Sequence, residues 1–155
     1  MIGDVARDVS VEAAPSHIAG YLIVNDLSER AFQLEHGGQW VKGKSCDTFG
    51  PMGPWLVTPD DVPDPQNLAM TLSVNEHQYQ NGSSRTMVFG VTQLVSYISR
   101  YMTLLPGDVI STGTPPGVGL GQKPPVYLKA GDVMELEIER LGRQRQRVVG
   151  QQAPR

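Results

Sequence analysis

The sequence contains one cysteine and no long uninterrupted run of apolar residues. Because a disulfide needs two cysteines, the lone Cys46 excludes an internal bridge and fits a reducing, cytoplasmic setting. No apolar stretch approaches the roughly 18 residues of a membrane span, so we expect no membrane segment. The first residues also lack the long apolar core of a signal peptide, which agrees with a cytoplasmic location.

Charge of one sign is not in large excess either. The 155 residues include 13 basic and 16 acidic side chains, for a formal net charge of -3. A nucleic-acid-binding protein normally presents a basic face, so we expect no nucleic-acid partner. The one basic run lies near the C-terminus and is typical of a solvated strand or tail. Its members are Arg140, Arg143, Arg145 and Arg147.

Glycine and proline are abundant, with 17 and 12 residues, and they separate short apolar runs. Such punctuation is typical of a turn-rich β fold. The apolar patterns predict strands over 21–24, 55–58, 70–74, 109–111 and 134–138, a helix over 91–98, short helical segments over 11–19 and 27–34, and turns at 75–77 and 81–82. We therefore predict a β-rich α+β domain over 1–150 and a tail at 151–155.

Three glutamates near the C-terminus could be mistaken for metal ligands because they are regularly spaced. They alternate with apolar residues in the predicted strand over 134–138, which places them together on its other face. A solvated strand face explains this pattern better than a metal site. The glutamates are Glu135, Glu137 and Glu139.

Asp26 follows the apolar run of residues 21–24 and has two interpretations. It is either the N-cap of a following helical turn or a hard oxygen ligand for Mg²⁺, with Mn²⁺ or Ca²⁺ as alternatives. The second interpretation requires further carboxylates nearby, because one carboxylate does not hold such a cation alone. We find no partner for Asp26 near the N-terminus.

Lys44 stands between Gly43 and Ser45, in a segment rich in small residues. It is either an ordinary loop lysine or a cation that stabilises a negative oxygen formed during a reaction. The second interpretation rests on its small neighbours, because they let a ligand approach the backbone closely. Thr48 adds a hydroxyl group to the same segment.

A loop rich in glycine and proline spans 112–119, after the predicted strand over 109–111. Gly113 exposes the backbone N–H groups of its neighbours and Thr114 adds a hydroxyl, so the loop is suited to hold a carboxylate or carbonyl oxygen. The loop is not a phosphate-binding P-loop, because the Gly-Lys-Ser/Thr ending is absent. A purely structural turn is the alternative.

Four ordered motifs resemble the fumarylacetoacetate hydrolase family, and the resemblance extends from Ile2 to Val149. It is strongest for the bacterial branch that acts on acylpyruvates, diketo-deoxy sugar acids and other 2-oxo acids. The motifs are Asn-Asp-x-Ser-x-Arg at 25–30, Gly-Lys-Ser-x-Asp-Thr-Phe-x-Pro-x-Gly-Pro-Trp at 43–55, Pro-Gly-Asp-Val-Ile-x-Thr-Gly-Thr-Pro-x-Gly-Val-Gly at 106–119 and Leu-Lys-x-Gly-Asp-Val at 128–133.

The resemblance implies a mixed β-sandwich or roll with one or two short helices, and a site that uses a divalent cation. Asp26 corresponds to a metal ligand, and Lys44 and Thr114 to catalytic positions. Gln33, Thr48 and Gly113 correspond to positions that bind substrate. The family's other metal ligands, a Glu-x-Glu pair, align just before Met1, so we expect this chain to lack the N-terminal part of a family member.

The implied activity is hydrolysis of a C–C bond in a small 2,4-dioxo acid, by a homodimer. A 2-oxo acid isomerase or decarboxylase that uses the same metal site is the alternative within enzymes. A third alternative comes from another class of protein, a truncated and catalytically inactive homologue that serves in binding or assembly.

Overall fold

The computed structural model describes residues 1–150, and the predicted tail at 151–155 lies outside the described residues. Two α-helices and six strands form the fold, together with five short 3₁₀ helices. In chain order they are β1 (Tyr21–Val24), α1 (Arg30–Leu34), β2 (Met52–Val57), β3 (Ala69–Val74), β4 (His77–Ser83), α2 (Val91–Ser99), β5 (Val133–Ile138) and β6 (Gly142–Arg147), with 3₁₀ helices at Ala14–His17, Trp40–Gly43, Pro59–Asp61, Ser84–Thr86 and Gly119–Gly121. The β-rich α+β class is confirmed.

The larger sheet is antiparallel, with strand order β4-β3-β5-β6. The predicted turn after β3 is confirmed, because Asn75 and Glu76 both adopt positive φ, at 49° and 68°. Two central residues with positive φ match the right-handed twist of the flanking strands. The predicted turn at 81–82 is wrong. Asn81 and Gly82 lie inside β4 and pair with β3, which overrides their local turn preference.

The strand β5 alternates as its sequence predicts. Met134 and Leu136 are buried, whereas Glu137 and Glu139 are exposed. Glu135 lies opposite β6 and forms ion pairs with two arginines of that strand, at 3.1 Å and 3.4 Å. The solvated glutamate face is therefore confirmed, and most of the basic run forms part of β6 and not a tail.

A two-stranded antiparallel sheet, β1–β2, packs on the β6 side of the larger sheet. The buried Gln144 of β6 joins them, since its Nε2 donates to Ile23 O at 3.1 Å and to Gly53 O at 2.8 Å. The apolar residues enclosed here form the sheet cluster, which contains Ile23, Val57, Val62, Leu68, Leu136 and Leu141.

A second group of buried residues, the N-terminal cluster, packs against α2. The N-terminal segment reaches it through two isolated antiparallel bridges, Ile2 with Ile18 and Ala6 with Leu104. The predicted helix over 91–98 is confirmed as α2, whereas the one over 11–19 shrinks to a single 3₁₀ turn that begins beside Pro15. The cluster contains Ile2, Ala6, Ala14, Ile18, Val95 and Leu104.

The predicted strand over 109–111 is wrong. These residues are half-buried or exposed, and their backbone groups form no hydrogen bond with any described residue. Their apolar pattern suits a strand, but a strand exists only where a second backbone completes the ladder.

Among residues 1–150, neither α-helix has the length and apolarity that crossing a bilayer requires.

Candidate active site

The end of β1 is held in place by a buried asparagine that sequence reasoning did not single out. The N–H of Asn25 donates to Pro51 O at 3.1 Å, and its Nδ2 donates to Gln146 Oε1 at 2.6 Å. Asn25 is 8% exposed, so these bonds replace its contacts with water. The signal was present in the sequence, as the first residue of the Asn-Asp motif.

Asp26 comes next and projects to the surface, where it meets Lys44. Lys44 Nζ lies 2.6 Å from Asp26 Oδ2, and the two side chains are 29% and 50% exposed respectively. An ion pair this accessible contributes at most about 1 kcal/mol to stability. The pair matters for chemistry, because it holds the Lys44 ammonium group at an open surface.

The turn that carries Lys44 is fixed against α1. Glu29 N–H donates to Gly43 O at 2.8 Å, and a Cβ at Gly43 would overlap both Glu29 O and Gln33 Cγ. A glycine is therefore required here for the close approach of the two segments. This contact places Lys44, the next residue, within reach of Asp26.

Gln33 is fully buried beneath this turn. Its Oε1 accepts from Arg30 at 2.8 Å, while its Nε2 has no hydrogen-bond partner among the described residues. An unpaired buried donor costs about 1–3 kcal/mol, so it calls for an explanation. The role of Gln33 in substrate binding stays a prediction. In the structure its side chain accepts a hydrogen bond from Arg30 and packs against Gly43.

Thr48 lies on the loop that follows Lys44 and adopts a φ of +68°. The residue is exposed, so no packing contact of a buried side chain accounts for this conformation. A β-branched residue in the left-handed region carries backbone strain, and strain of this kind concentrates at functional sites. The contact of Thr48 with substrate stays a prediction.

The glycine-rich loop of 112–119 docks on β4. Thr114 Oγ1 accepts from the buried Gln80 Nε2 at 2.8 Å, and Gly117 approaches Tyr79 O so closely that no side chain would fit. Gly113, with a φ of +103°, has no heavy atom within 4 Å of the place where a Cβ would stand. Gly113 and Thr114 therefore sit on a loop that docks on β4 and has open space beside Gly113.

The two halves of the site border the same face of the larger sheet. Gln80, Leu72, Leu136 and Gln144 are cross-strand neighbours, so their side chains project to one side. Gln80 binds the Thr114 loop and Gln144 binds β1, which ends just before Asp26. Asp26 contacts Lys44 directly, whereas no hydrogen bond among the described residues links either of them to Thr114.

The described residues do not form a complete metal site. No group of three or more His, Cys, Asp or Glu side chains within 1–150 is arranged to hold an ion. Asp26 offers one carboxylate, and its Oδ2 already accepts from Lys44. Mg²⁺ and Ca²⁺ require about six or more oxygen ligands, so this donor set does not fit a cation by itself.

A family model for the C-terminal part of fumarylacetoacetate hydrolases matches residues 1–149. This chain belongs to the fumarylacetoacetate hydrolase family. A relative from Burkholderia multivorans, assigned in general terms as a hydrolase, is 62% identical over 147 residues. That match covers 94% of this chain and 52% of the relative. The chain thus spans about half the length of the curated relatives it matches.

Solved structures of the family confirm the fold. A fumarylacetoacetate hydrolase from Exiguobacterium antarcticum superposes with a TM-score of 0.93 at 44% identity, covering 97% of this chain and 54% of that one. A probable 2-hydroxyhepta-2,4-diene-1,7-dioate isomerase from Mycobacterium abscessus gives a TM-score of 0.91 at 36% identity, covering 98% and 58%. Proteins named as hydrolases and as isomerases therefore share this fold.

Proposed function

We propose that this chain forms the substrate-handling part of a hydrolase that cleaves a C–C bond in a small 2,4-dioxo acid. The substrate class is an acylpyruvate or a diketo-deoxy sugar acid. The observation that carries the proposal is the 2.6 Å pair of Lys44 and Asp26, which presents an ammonium group at an open surface. Membership of the family supports an enzyme of this kind.

Each predicted residue has a role in this reaction. A water molecule adds to the C4 carbonyl of the substrate, the C3–C4 bond breaks, and pyruvate leaves as its enolate before it takes up a proton. Lys44 neutralises the developing enolate oxygen, and the Thr114 hydroxyl and Gly113 backbone hold a second oxygen. Gln33 and Thr48 orient the substrate. Asp26 keeps the Lys44 ammonium aimed at the open face.

A divalent cation remains part of the proposal for the whole protein, with Asp26 as the ligand that this chain supplies. Mg²⁺ is the first candidate, and Mn²⁺ and Ca²⁺ are the alternatives. Because one ion-paired carboxylate does not fit such a cation, we expect no micromolar binding when Mg²⁺ is titrated calorimetrically into this chain. Micromolar binding that disappears in Asp26→Ala would show instead that this chain completes the site, for example with a carboxylate of a second subunit.

The decisive experiment is product analysis by proton NMR after incubation of the whole protein and Mg²⁺ with acetylpyruvate. Acetate and pyruvate in equal amounts support the hydrolase. A shifted double bond indicates an isomerase, and release of CO₂ indicates a decarboxylase. Absence of turnover with a panel of 2-oxo acids indicates the catalytically inactive homologue.

The role of Lys44 is testable by substitution. Lys44→Met removes the cation while keeping the apolar stem, and we expect kcat/KM to fall by about 100-fold to 1,000-fold. The matched control is Lys42→Met in the adjacent 3₁₀ helix, because Lys42 Nζ binds only His36 O, at 2.8 Å. Equal losses in the two variants would contradict the assignment.

An isomerase is the second candidate, favoured by the name of the Mycobacterium abscessus neighbour. An isomerase would use the same contacts, because Lys44 and the Thr114 loop stabilise an enolate whether or not a bond is cleaved. Assembly as a homodimer and a cytoplasmic location stay predictions.

A further inference from the structure

Gln80 is a buried residue of β4 without a role in the proposed reaction. Its side chain is 8% exposed, and its Nε2 donates to Thr114 Oγ1 at 2.8 Å and to Pro115 O at 2.9 Å. A backbone carbonyl oxygen only accepts hydrogen bonds, so the contact with Pro115 O fixes the nitrogen end of the amide toward the loop of 112–119. Both N–H groups of the Gln80 side chain are therefore committed to that loop.

This orientation decides what the Thr114 hydroxyl group can do. A hydroxyl carries one proton and two lone pairs, and one lone pair of Oγ1 accepts the N–H of Gln80. Among residues 1–150, the only acceptor near the hydroxyl proton is Pro115 O. It lies 3.3 Å away, which is longer than an ordinary O–H···O bond, and it already accepts from Gln80. The hydroxyl proton is therefore available to an oxygen atom from outside the chain.

The loop is also fixed against β4 through its backbone. A Cβ at Gly82 would lie 2.7 Å from Pro115 Cβ, and a Cβ at Gly117 would overlap Tyr79 O. Close packing of the loop thus gives Gly82 a purpose inside a strand, where a turn residue is otherwise out of place. Thr114 itself is exposed, so a ligand in solution reaches the hydroxyl that Gln80 holds.

We propose that Gln80 is a positioning residue, which holds the Thr114 hydroxyl as a hydrogen-bond donor to a carboxylate oxygen of the substrate. The inference rests on the proposed function for the chemical class of that ligand, a small 2-oxo acid. A hydroxyl that rotates freely also presents its lone pairs to the ligand oxygen, and that contact is repulsive. Gln80 removes these unproductive orientations before the ligand arrives, which is preorganisation for binding.

The contribution of Gln80 belongs to binding and not to the chemical step. The carboxylate of a 2-oxo acid keeps its charge while a neighbouring C–C bond breaks, so its contact with Thr114 is the same in the ground state and the transition state. An interaction of this kind lowers KM and leaves kcat unchanged. Gln80→Met should therefore raise KM for acetylpyruvate without lowering kcat.

The test measures the binding of pyruvate to the whole protein with Mg²⁺ by calorimetric titration. We expect Gln80→Met to raise the Kd by about fivefold or more, and Thr114→Val to raise it by at least as much. The double variant should bind as Thr114→Val does, because no hydroxyl is left for Gln80 to orient. Additive losses in the double variant would mean that Gln80 acts through the general shape of the loop, and would overturn the inference.

Gln66→Met is the matched control. It makes the same substitution at a half-buried glutamine whose side chain accepts from Val91 N at 2.7 Å and donates to Ser84 O at 3.5 Å, with no hydrogen bond to the 112–119 loop. We expect the Kd of this variant to stay within about twofold of the unchanged protein, since the loop keeps its contacts. An unchanged Kd in Gln80→Met, or an equal rise in both variants, would contradict the positioning role.

A measurement on the unchanged protein covers the case in which Gln80→Met does not fold. In NMR spectra of ¹⁵N-labelled protein, pyruvate should shift the side-chain amide signals of Gln80 and leave those of Gln66 in place. Unshifted Gln80 signals, or absence of pyruvate binding at about 10 mM, would refute the inference.

Failure of the proposed function gives a different result. A protein that binds pyruvate with the expected dependence on Gln80 and Thr114, yet does not cleave acetylpyruvate, would disprove the hydrolase and retain the positioning role. A protein that cleaves acetylpyruvate with the same KM after Gln80→Met would retain the hydrolase and disprove the positioning role.

Discussion

The sheet cluster and the N-terminal cluster each contain six buried apolar residues, but their backbones are held differently. The sheet cluster lies under continuous antiparallel ladders, so its strands satisfy one another's polar groups. The N-terminal cluster relies on two isolated bridges and on side chains that bind backbone, such as Ser99 Oγ with Val9 N at 2.9 Å. Equal numbers of buried apolar residues therefore have unequal backbone support.

The two halves of the candidate site are attached to different parts of the fold. Asp26 extends from β1, which the sheet cluster anchors, and the Thr114 loop continues from residues 109–113, whose backbone pairs with no described backbone. One half of the site is thus held by ladders and the other by a few contacts to β4. This contrast predicts that the two regions respond differently to equivalent substitutions.

The largest expected effect comes from a matched pair of leucine truncations. Leu136 and Leu104 are 6% and 4% exposed, one in each cluster. We expect Leu136→Ala to lower the free energy of unfolding by about 4 kcal/mol and Leu104→Ala by about 2–3 kcal/mol, because loosely held surroundings collapse into a cavity more completely. Urea denaturation followed by circular dichroism measures both values. Equal losses would show that the bridges support the N-terminal cluster as firmly as the ladders support the sheet.

A smaller effect tests how side chains hold the backbone around the N-terminal cluster. The fully buried Ser99 accepts from Val9 N at 2.9 Å and donates to Ser96 O at 2.8 Å. Ser99→Ala leaves Val9 N unpaired, so we expect a loss of about 1–3 kcal/mol in the free energy of unfolding. Ser16→Ala is the control, since the exposed Ser16 hydroxyl binds only Ala13 O. A neutral Ser99→Ala would mean that the hydroxyl contact is dispensable.

The smallest effect concerns the amino group of Met1. Burial lowers its pKa below the ordinary value, so the unfolded chain holds this proton at a higher pH than the folded chain does. Folding then releases a proton, and stability rises with pH through the window between the lowered pKa and the ordinary value near 8. Acetylation of Met1 should abolish this rise in thermal melts between pH 6 and 9. A rise of equal size in the acetylated protein would assign it to another group.

Local patterns predicted the elements whose partners are close in sequence or whose periodicity is strong. The helix α2 and the strands β3 and β5 were predicted because apolar spacing reports which face of an element is buried. The Asn81-Gly82 turn failed because cross-strand pairing with β3 outweighed a local preference. The strand at 109–111 failed because its apolar pattern does not reveal whether a partner backbone is present.

The sequence by itself determined the family, the β-rich class and the residue types available for chemistry, because motifs and periodicity are written in the order of residues. Only the tertiary structure decided that Lys44, 18 residues after Asp26, lies 2.6 Å from it, and that Gln33 is buried beneath Gly43. It also decided that Thr114 borders the same sheet face. These relations depend on close approaches and strand order, and spacing along the chain does not encode distances between segments that meet through packing.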